Sequence, residues 1–403
     1  MTHLANPSEL AANVAQRLLE RNRVCEEFFS REAHRLAELS RAMAERFLLG
    51  GRLLAFGRGP YSTDAQHVSV EFVHPVIVGK RALPALDLSV LFGPWLTAIL
   101  RPEDIVMGFG PPEGDPEVSA AVRQAGAAGA LTIALPGAEG DYHCPAATPD
   151  PFIHQEVIEI LYHTLWETVH VFLERRPKGL DSDAGLDSGD AGFLYPFLGQ
   201  EKQGTDDLVT EVAGSIVMKA DDDSRLRAGM AGESADEIWN ASVAIAGRLA
   251  RGGKLILFGN GGSATDANDW AVDCVLPPPG LPAVPAVSLC MEPANITAVA
   301  NDVGTELIFL RQLIAQARPE DVAIGISTSG GSRNIVMALE EARKRKLLTV
   351  ALLGYDGGEI RRRGLADFAL VVPCDYIPRI QEVQASVYHV IRINLERIQH
   401  AVA

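Results

Sequence analysis

No apolar run in this 403-residue chain approaches the length needed to cross a membrane. The N-terminus, MTHLANPSELAANVAQRL, lacks the basic start and apolar stretch of a signal peptide. The five cysteines, Cys25, Cys144, Cys274, Cys290 and Cys374, are odd in number and never spaced as CxxC. That pattern excludes a structural zinc cluster and fits a reducing compartment. Positive charge is scarce: the formal net charge is −16, which argues against broad contact with nucleic acid or anionic membranes. One basic stretch, Arg343 to Lys346, reads as the solvated end of a helix. Neither GxxxxGK[ST] nor GxGxxG with a following acidic residue occurs, so the usual nucleotide loops are missing. The expectation is a soluble, cytoplasmic protein of two domains with no nucleic-acid or membrane partner.

What is present centres on Lys254 to Asp273. Leu255 to Phe258 is apolar without alternation, which predicts a buried parallel strand. It runs into Gly259, Asn260, Gly261, Gly262 and Ser263, and helix formers follow. Glycines permit a tight turn and a close approach to a ligand, and Ser263 at the expected N-cap adds a hydroxyl to N–H groups that favour an anion. Taken alone, the stretch fits a phosphate-binding strand–loop–helix or a turn with no ligand. A second apolar strand, Val322 to Ile326, feeds Ser327, Thr328, Ser329, Gly330, Gly331, Ser332, Arg333 and Asn334 before a helical stretch. Hydroxyls crowded at one helix N-terminus, with a single arginine nearby, suit a sugar phosphate better than a nucleotide triphosphate.

The unit occurs twice. Gly51 to Gly57 matches Gly253 to Gly259 position by position, and GRGPYSTDAQHVSVE lies over GNGGSATDANDWAVD. Arg101 to Ile105 pairs with Arg318 to Val322, and Gln155 with His163 pairs with Gln381 with His389. Strands alternating with helices predict an α/β fold in which each copy is a mostly parallel sheet covered on both faces. Ligand loops then sit at the strands' carboxyl ends. The predicted boundaries are 1–175, a Gly/Asp/Ser-rich linker over 176–206 carrying Phe193 to Leu198, and 207–403. Leu10 to Phe47 reads as two helices, and Leu208 to Leu226 as the first helix of the second copy.

The motifs GNGGSATDA, ITAVANDVG, GISTSGGSRN, GYDGG and RIQEVQASVYHV resemble, in this order and spacing, the phosphoheptose isomerases of the sugar-isomerase (SIS) fold. The resemblance covers about 207–400 closely, and 1–175 as a degenerate copy. It implies isomerisation of sedoheptulose 7-phosphate to D-glycero-D-manno-heptose 7-phosphate through an enediolate. It further implies a phosphate grip by Ser327, Thr328, Ser329 and Ser332, and sugar contacts from Asn260, Gly261, Gly262, Asn301 and Asp302, with Ser263 and Gln381 counted among the substrate- and phosphate-binding residues. In that family a His, Glu, Gln, His quartet binds zinc, and the Glu and last His carry protons. A homodimer of such fused pairs, with pseudo-222 symmetry, follows from the family's tetramers.

The quartet is complete only in the first copy, as His67, Glu71, Gln155 and His163, with Glu71 and His163 in the proton-carrying positions. The second copy has Asp269 and Asp273 in place of His and Glu, and keeps Gln381 and His389. Conversely, the first copy's anion loop is replaced by Gly108 to Asp115, where prolines remove donors and Glu113 and Asp115 repel phosphate. Three readings follow. In the first, one composite site joins the hydroxyl loop of the C-terminal copy, which holds the phosphate, to His67, Glu71, Gln155 and His163 of the N-terminal copy, which supply metal and base. In the second, the C-terminal copy works alone, with Asp273 as base, Asp269 as ligand and His389 as proton carrier. In the third, both copies are spent and the chain binds a sugar phosphate or a protein as a sensor. His67 and His163 could also be half-buried packing residues. His74, His143 and His154 read as surface or loop residues, and Tyr162 and Tyr388 as core packing.

Overall fold

The computed structural model describes residues 7–76, 79–174 and 205–402. Two compact units emerge, one formed by Val24–Asp221 and one by Met1–Arg23 with Asp222–Ala403.

In the first unit, strands β1 (Leu53–Gly57), β2 (Ala85–Asp87), β3 (Ile105–Phe109), β4 (Leu131–Leu135) and β5 (Tyr142–His143) form one sheet in the order β2-β1-β3-β4-β5. In the second, β6 (Leu255–Phe258), β7 (Ala286–Ser288), β8 (Val322–Ser327), β9 (Leu348–Leu353) and β10 (Phe368–Val371) run in the order β10-β9-β8-β6-β7. Every strand pairing is parallel, and one order is the other read from the opposite edge. All residues of β1, β3 and β4 are buried because both faces are covered. Leu53 and Ala55 enter one apolar core while Leu54 and Phe56 enter another, as alternation along a strand requires.

The repeat extends to polar detail. Leu53 faces Ile105 as Leu255 faces Val322. Asp104, fully buried, accepts from the backbone N of Arg52 (3.0 Å), from Arg52 Nη2 (2.7 Å) and from the N of Arg101 (2.9 Å). Asp321 accepts in the same way from the N of Lys254 (2.9 Å), from Lys254 Nζ (2.6 Å) and from the N of Arg318 (2.8 Å). A buried carboxylate needs that many donors, which accounts for the repeated Arg-Pro-Glu-Asp.

Several sequence expectations change. Leu10 to Phe47 is one helix within Pro7–Leu48, since no Gly or Pro interrupts it. The helix expected over Leu208 to Leu226 runs from Thr205 to Glu233. The units do not divide at the predicted boundaries. Val14 and Leu18 belong to the core of the C-terminal unit with Ile238 and Val387, whereas Leu208, Val212 and Ile216 belong to the N-terminal unit's core. The linker lies outside the described residues except its last two positions, and so does Phe193 to Leu198. Among the described residues, no helix is long and apolar enough to cross a membrane.

Candidate functional site

In the C-terminal unit both expected loops follow strand ends, β6 and β8. The first turns at Gly261, whose φ of +56° and ψ of −127° suit glycine alone. Gly261, and not Ser263, is the N-cap of the Gly262–Val275 helix, and Ser263 lies buried in its first turn. The turn ends on the positive φ of Gly261, so the helix begins there, ahead of Ser263 in the chain.

The second loop folds on its own hydroxyls. Ser327 Oγ accepts from the N of Gly330 at 3.1 Å, and Ser329 Oγ from the N of Gly331 at 3.3 Å. Ser327 and Ser332 place their hydroxyl oxygens 3.4 Å apart. Ser332 occupies the N-cap of the Arg333–Lys344 helix without bonding to it through its side chain. The first-turn N–H groups of Arg333 and Asn334 thus keep no acceptor among the described residues. Thr328 is half-buried and Ser329 exposed, so the hydroxyl face is open to a ligand. Asn260 and Asn334 clasp the two loops together with reciprocal amide bonds of 3.0 and 2.8 Å. Asn301 and Asp302 are exposed and bonded to each other at 2.8 Å. Next to them, Thr305 and Glu306 line a cavity of about 490 Å³ with Asn260, Arg333 and Asn334.

The equivalent helix start in the N-terminal unit is closed. Asp115 caps the Pro116–Ala127 helix, its Oδ1 accepting from the N of Glu117 (2.8 Å) and of Val118 (3.1 Å). The chain's own carboxylate thereby occupies the place where an anion would dock, and Arg58 pairs with both Asp115 and Glu117.

Each unit also holds a buried ionisable cluster. In the C-terminal unit His389 Nε2 stands 3.1 Å from Asp273 and 3.6 Å from Asp269. The shorter aspartate side chain therefore reaches the imidazole. Asp269 also accepts from the Tyr388 hydroxyl at 2.7 Å, so Tyr388 is more than packing. Asp273 titrates at about 7, pushed up chiefly by burial and next by the neighbouring Asp269 charge, against the His389 hydrogen bond. Gln381 is buried on the Ile377–Val402 helix, and its Oε1 has no hydrogen-bond partner among the described residues. A buried acceptor in that condition costs about 1–3 kcal/mol until a ligand, ion or water meets it.

In the N-terminal unit His67 and Glu71 share one face of the Ser62–Val73 helix, and His163 meets them from the Pro151–Glu174 helix. His67 Nε2 lies 3.3 Å from His163 Nε2 and 3.8 Å from Glu71 Oε1. Two nitrogens around tetrahedral zinc, each at about 2.0–2.1 Å, would stand roughly 3.3–3.4 Å apart. Both imidazoles aim the same nitrogen at one point, and the set of two imidazoles and a carboxylate suits zinc. Gln155 donates to Thr63 Oγ1 (3.4 Å) and Asp64 (3.2 Å), which ties it to the start of the same helix. His67 and His163 are buried, not half-buried, and Tyr162 packs its ring on both.

His154 departs from expectation. It is fully buried, 3.3 Å from the Gly110 carbonyl, and burial holds its pKa down at about 4. His143 and His74 do lie at the surface or near it. Sequence reasoning missed Thr305, Glu306, Arg333 and Asn334 as cavity residues. The signal available was their position, immediately after the Asn-Asp pair and the last loop serine.

Residues 221–354 match the family model described as the SIS domain. The phosphoheptose isomerase of a Nitratiruptor species is 43% identical over 159 residues, 38% of this chain and 82% of the relative. That of Chlorobaculum tepidum is 43% identical over 172 residues, 42% of this chain and 81% of the relative. The C-terminal domain of glucosamine-fructose-6-phosphate aminotransferase from Francisella tularensis aligns with 95% of this chain and 96% of its own, with a TM-score of 0.62. At 7% identity that likeness concerns the fold alone. The hydroxyl loop and the glycine turn lie within the residues matched by the SIS-domain model, and with relatives 43% identical over about four fifths of their own length the chain belongs to the phosphoheptose isomerase family of SIS-domain proteins.

Proposed function

We propose that the chain interconverts sedoheptulose 7-phosphate and D-glycero-D-manno-heptose 7-phosphate, with the chemistry in the C-terminal unit. Ser327, Thr328, Ser329 and Ser332, with the open N–H groups behind them, hold the phosphate. Shifting the carbonyl by one carbon needs a base at the carbon and a proton carrier at the oxygens. Asp273 takes the carbon-bound proton and His389 serves the oxygens, while Tyr388 and Asp269 fix the imidazole's surroundings. The observation that carries this reading is the buried Asp273–His389 contact of 3.1 Å in the unit that keeps its hydroxyl loop. We give Asn260, Gly261, Gly262, Asn301, Asp302 and Gln381 to the sugar, a reading supported by the family resemblance of their motifs.

His67, Glu71 and His163 would hold a zinc ion in the N-terminal unit, and Gln155, bonded to Thr63 and Asp64, is the fourth ligand that the family pattern suggests. Bound there, zinc supplies positive charge and Lewis acidity. His67 and Glu71 are held side by side on one helix face, and His163 meets them from the Pro151–Glu174 helix.

Two measurements test this. Turnover of sedoheptulose 7-phosphate by the purified full chain is expected, and a chain that binds the sugar without converting it is a sensor instead. Metal analysis should find zinc that disappears in His67→Ala and survives in His389→Ala. Equal zinc in wild type and His67→Ala would remove the N-terminal site.

A further inference from the structure

The cavity beside the hydroxyl loop has a volume of about 490 Å³, within the roughly 300–1,000 Å³ of small-molecule sites. Its walls carry one full charge of each sign. Arg333 is the first residue of the helix that follows the loop, and Glu306 lies on the short turn Thr305–Leu307. Among the described residues neither side chain makes a hydrogen bond or ion pair, although both line the same space. The carboxylate is also given room: a Cβ on Gly304, whose φ is +115°, would come within 2.8 Å of Glu306 Oε2. The remaining walls are neutral hydrogen-bonding groups, the Asn260–Asn334 amides and the Thr305 hydroxyl.

We propose that Arg333 and Glu306 set the substrate class of this site: a neutral polyhydroxylated chain bearing a single terminal phosphate. The proposal rests on the sugar-phosphate reading above. Arg333, next to Ser332, adds a charge-assisted pair to a phosphate that the hydroxyls and N–H groups otherwise hold without any cation. Glu306, ionised, only accepts hydrogen bonds. It therefore favours the hydroxyls of a polyol and repels a second phosphate or a carboxylate, so sugar bisphosphates and sugar acids are refused. One residue attracts the right end and the other rejects the wrong one.

The test uses calorimetry on the full chain with inorganic phosphate, glucitol 6-phosphate and glucitol 1,6-bisphosphate. Both side chains are exposed, so Arg333→Met and Glu306→Gln should leave the fold intact. Arg333→Met is expected to weaken inorganic phosphate and glucitol 6-phosphate together, by about 10- to 100-fold. Glu306→Gln should leave inorganic phosphate within about twofold, weaken glucitol 6-phosphate, and tighten the bisphosphate by roughly tenfold. Unchanged binding in both variants would overturn the assignment. So would a Glu306→Gln loss as large for inorganic phosphate as for the polyol, or a wild-type chain that binds none of the three. A wild-type chain that shows the expected binding pattern but never turns over sedoheptulose 7-phosphate refutes the isomerase and leaves the cavity assignment standing. Turnover with unaltered substrate preference in both variants does the reverse.

Discussion

Asp273→Asn is expected to cut turnover of sedoheptulose 7-phosphate by roughly 10²–10⁴-fold, the range for losing a positioned general base. Asparagine keeps the size of the side chain and can still meet His389, so binding of the sugar phosphate should change little. Asp269 cannot stand in, because the Tyr388 hydroxyl already occupies it and it lies 3.6 Å from the imidazole. The pH profile gives a second check. Asp273 titrates at about 7 in the fold against an ordinary 3.8, and a base works when deprotonated. Activity should therefore rise as pH climbs through about 7, and the residual activity of Asp273→Asn should lose that limb. Stability runs the opposite way. The fold favours the protonated carboxyl, so its contribution is fully present below pH 3.8 and is lost as pH rises through about 7. In Asp273→Asn that decline should vanish from urea titrations repeated across this range. A variant that retains wild-type turnover would end Asp273's role.

Gly330→Ala should be the most damaging single-methyl change in the anion loop. Gly330 has φ of +61°, and a Cβ there would sit 2.2 Å from the carbonyl oxygen of Gly357. Reciprocally, a Cβ on Gly358 would sit 2.3 Å from the carbonyl oxygen of Ser329. Two backbones touch with no room for a side chain, and the N of Ile360 donates to the Gly330 carbonyl at 2.9 Å to hold them there. Backbone cannot swing aside as a side-chain tip would. Overpacking of about 1–3 kcal/mol, added to about 1 kcal/mol for the left-handed conformation, should lower Tm by roughly 10 °C. Phosphate affinity should fall with it, since Ser329 must move. Gly331→Ala is the matched control: its nearest neighbour would be Ser329 Oγ at 3.9 Å, and Tm should stay within a degree or two, about what a surface change costs. Equal behaviour of the two variants would discredit the close-contact account.

Much of this was legible before any coordinates. Strands β6 and β8 announce themselves as apolar runs ending in Gly or Ser, and i, i+4 spacing puts His67 and Glu71 on one helix face, while the addition of His163 is what the family resemblance implies. The loss of the first anion loop was readable from Pro111 and Pro112, though not that Asp115 would plug the helix start itself. Other features were hidden for physical reasons. An aromatic beside a histidine looks like core, and only the facing helix decides whether the Tyr388 hydroxyl finds a carboxylate. His154 is polar by type, yet its helix turns it inward against Gly110. Glu306 and Arg333 are far apart in sequence and unremarkable singly; it is the fold that sets them around one space. The unit boundaries escaped notice because a long amphipathic helix carries no mark of where one core ends and another begins.

The exchanged helices bear on the history of the chain. Each half lends the other a helical segment, residues up to Arg23 in one direction and those up to Asp221 in the other. A gene split at the linker would strip Val14 and Leu18 from one product and Leu208, Val212 and Ile216 from the other, baring apolar surface on both. The arrangement works as a ratchet: neither half can be discarded, because the interior of the other is finished with its residues.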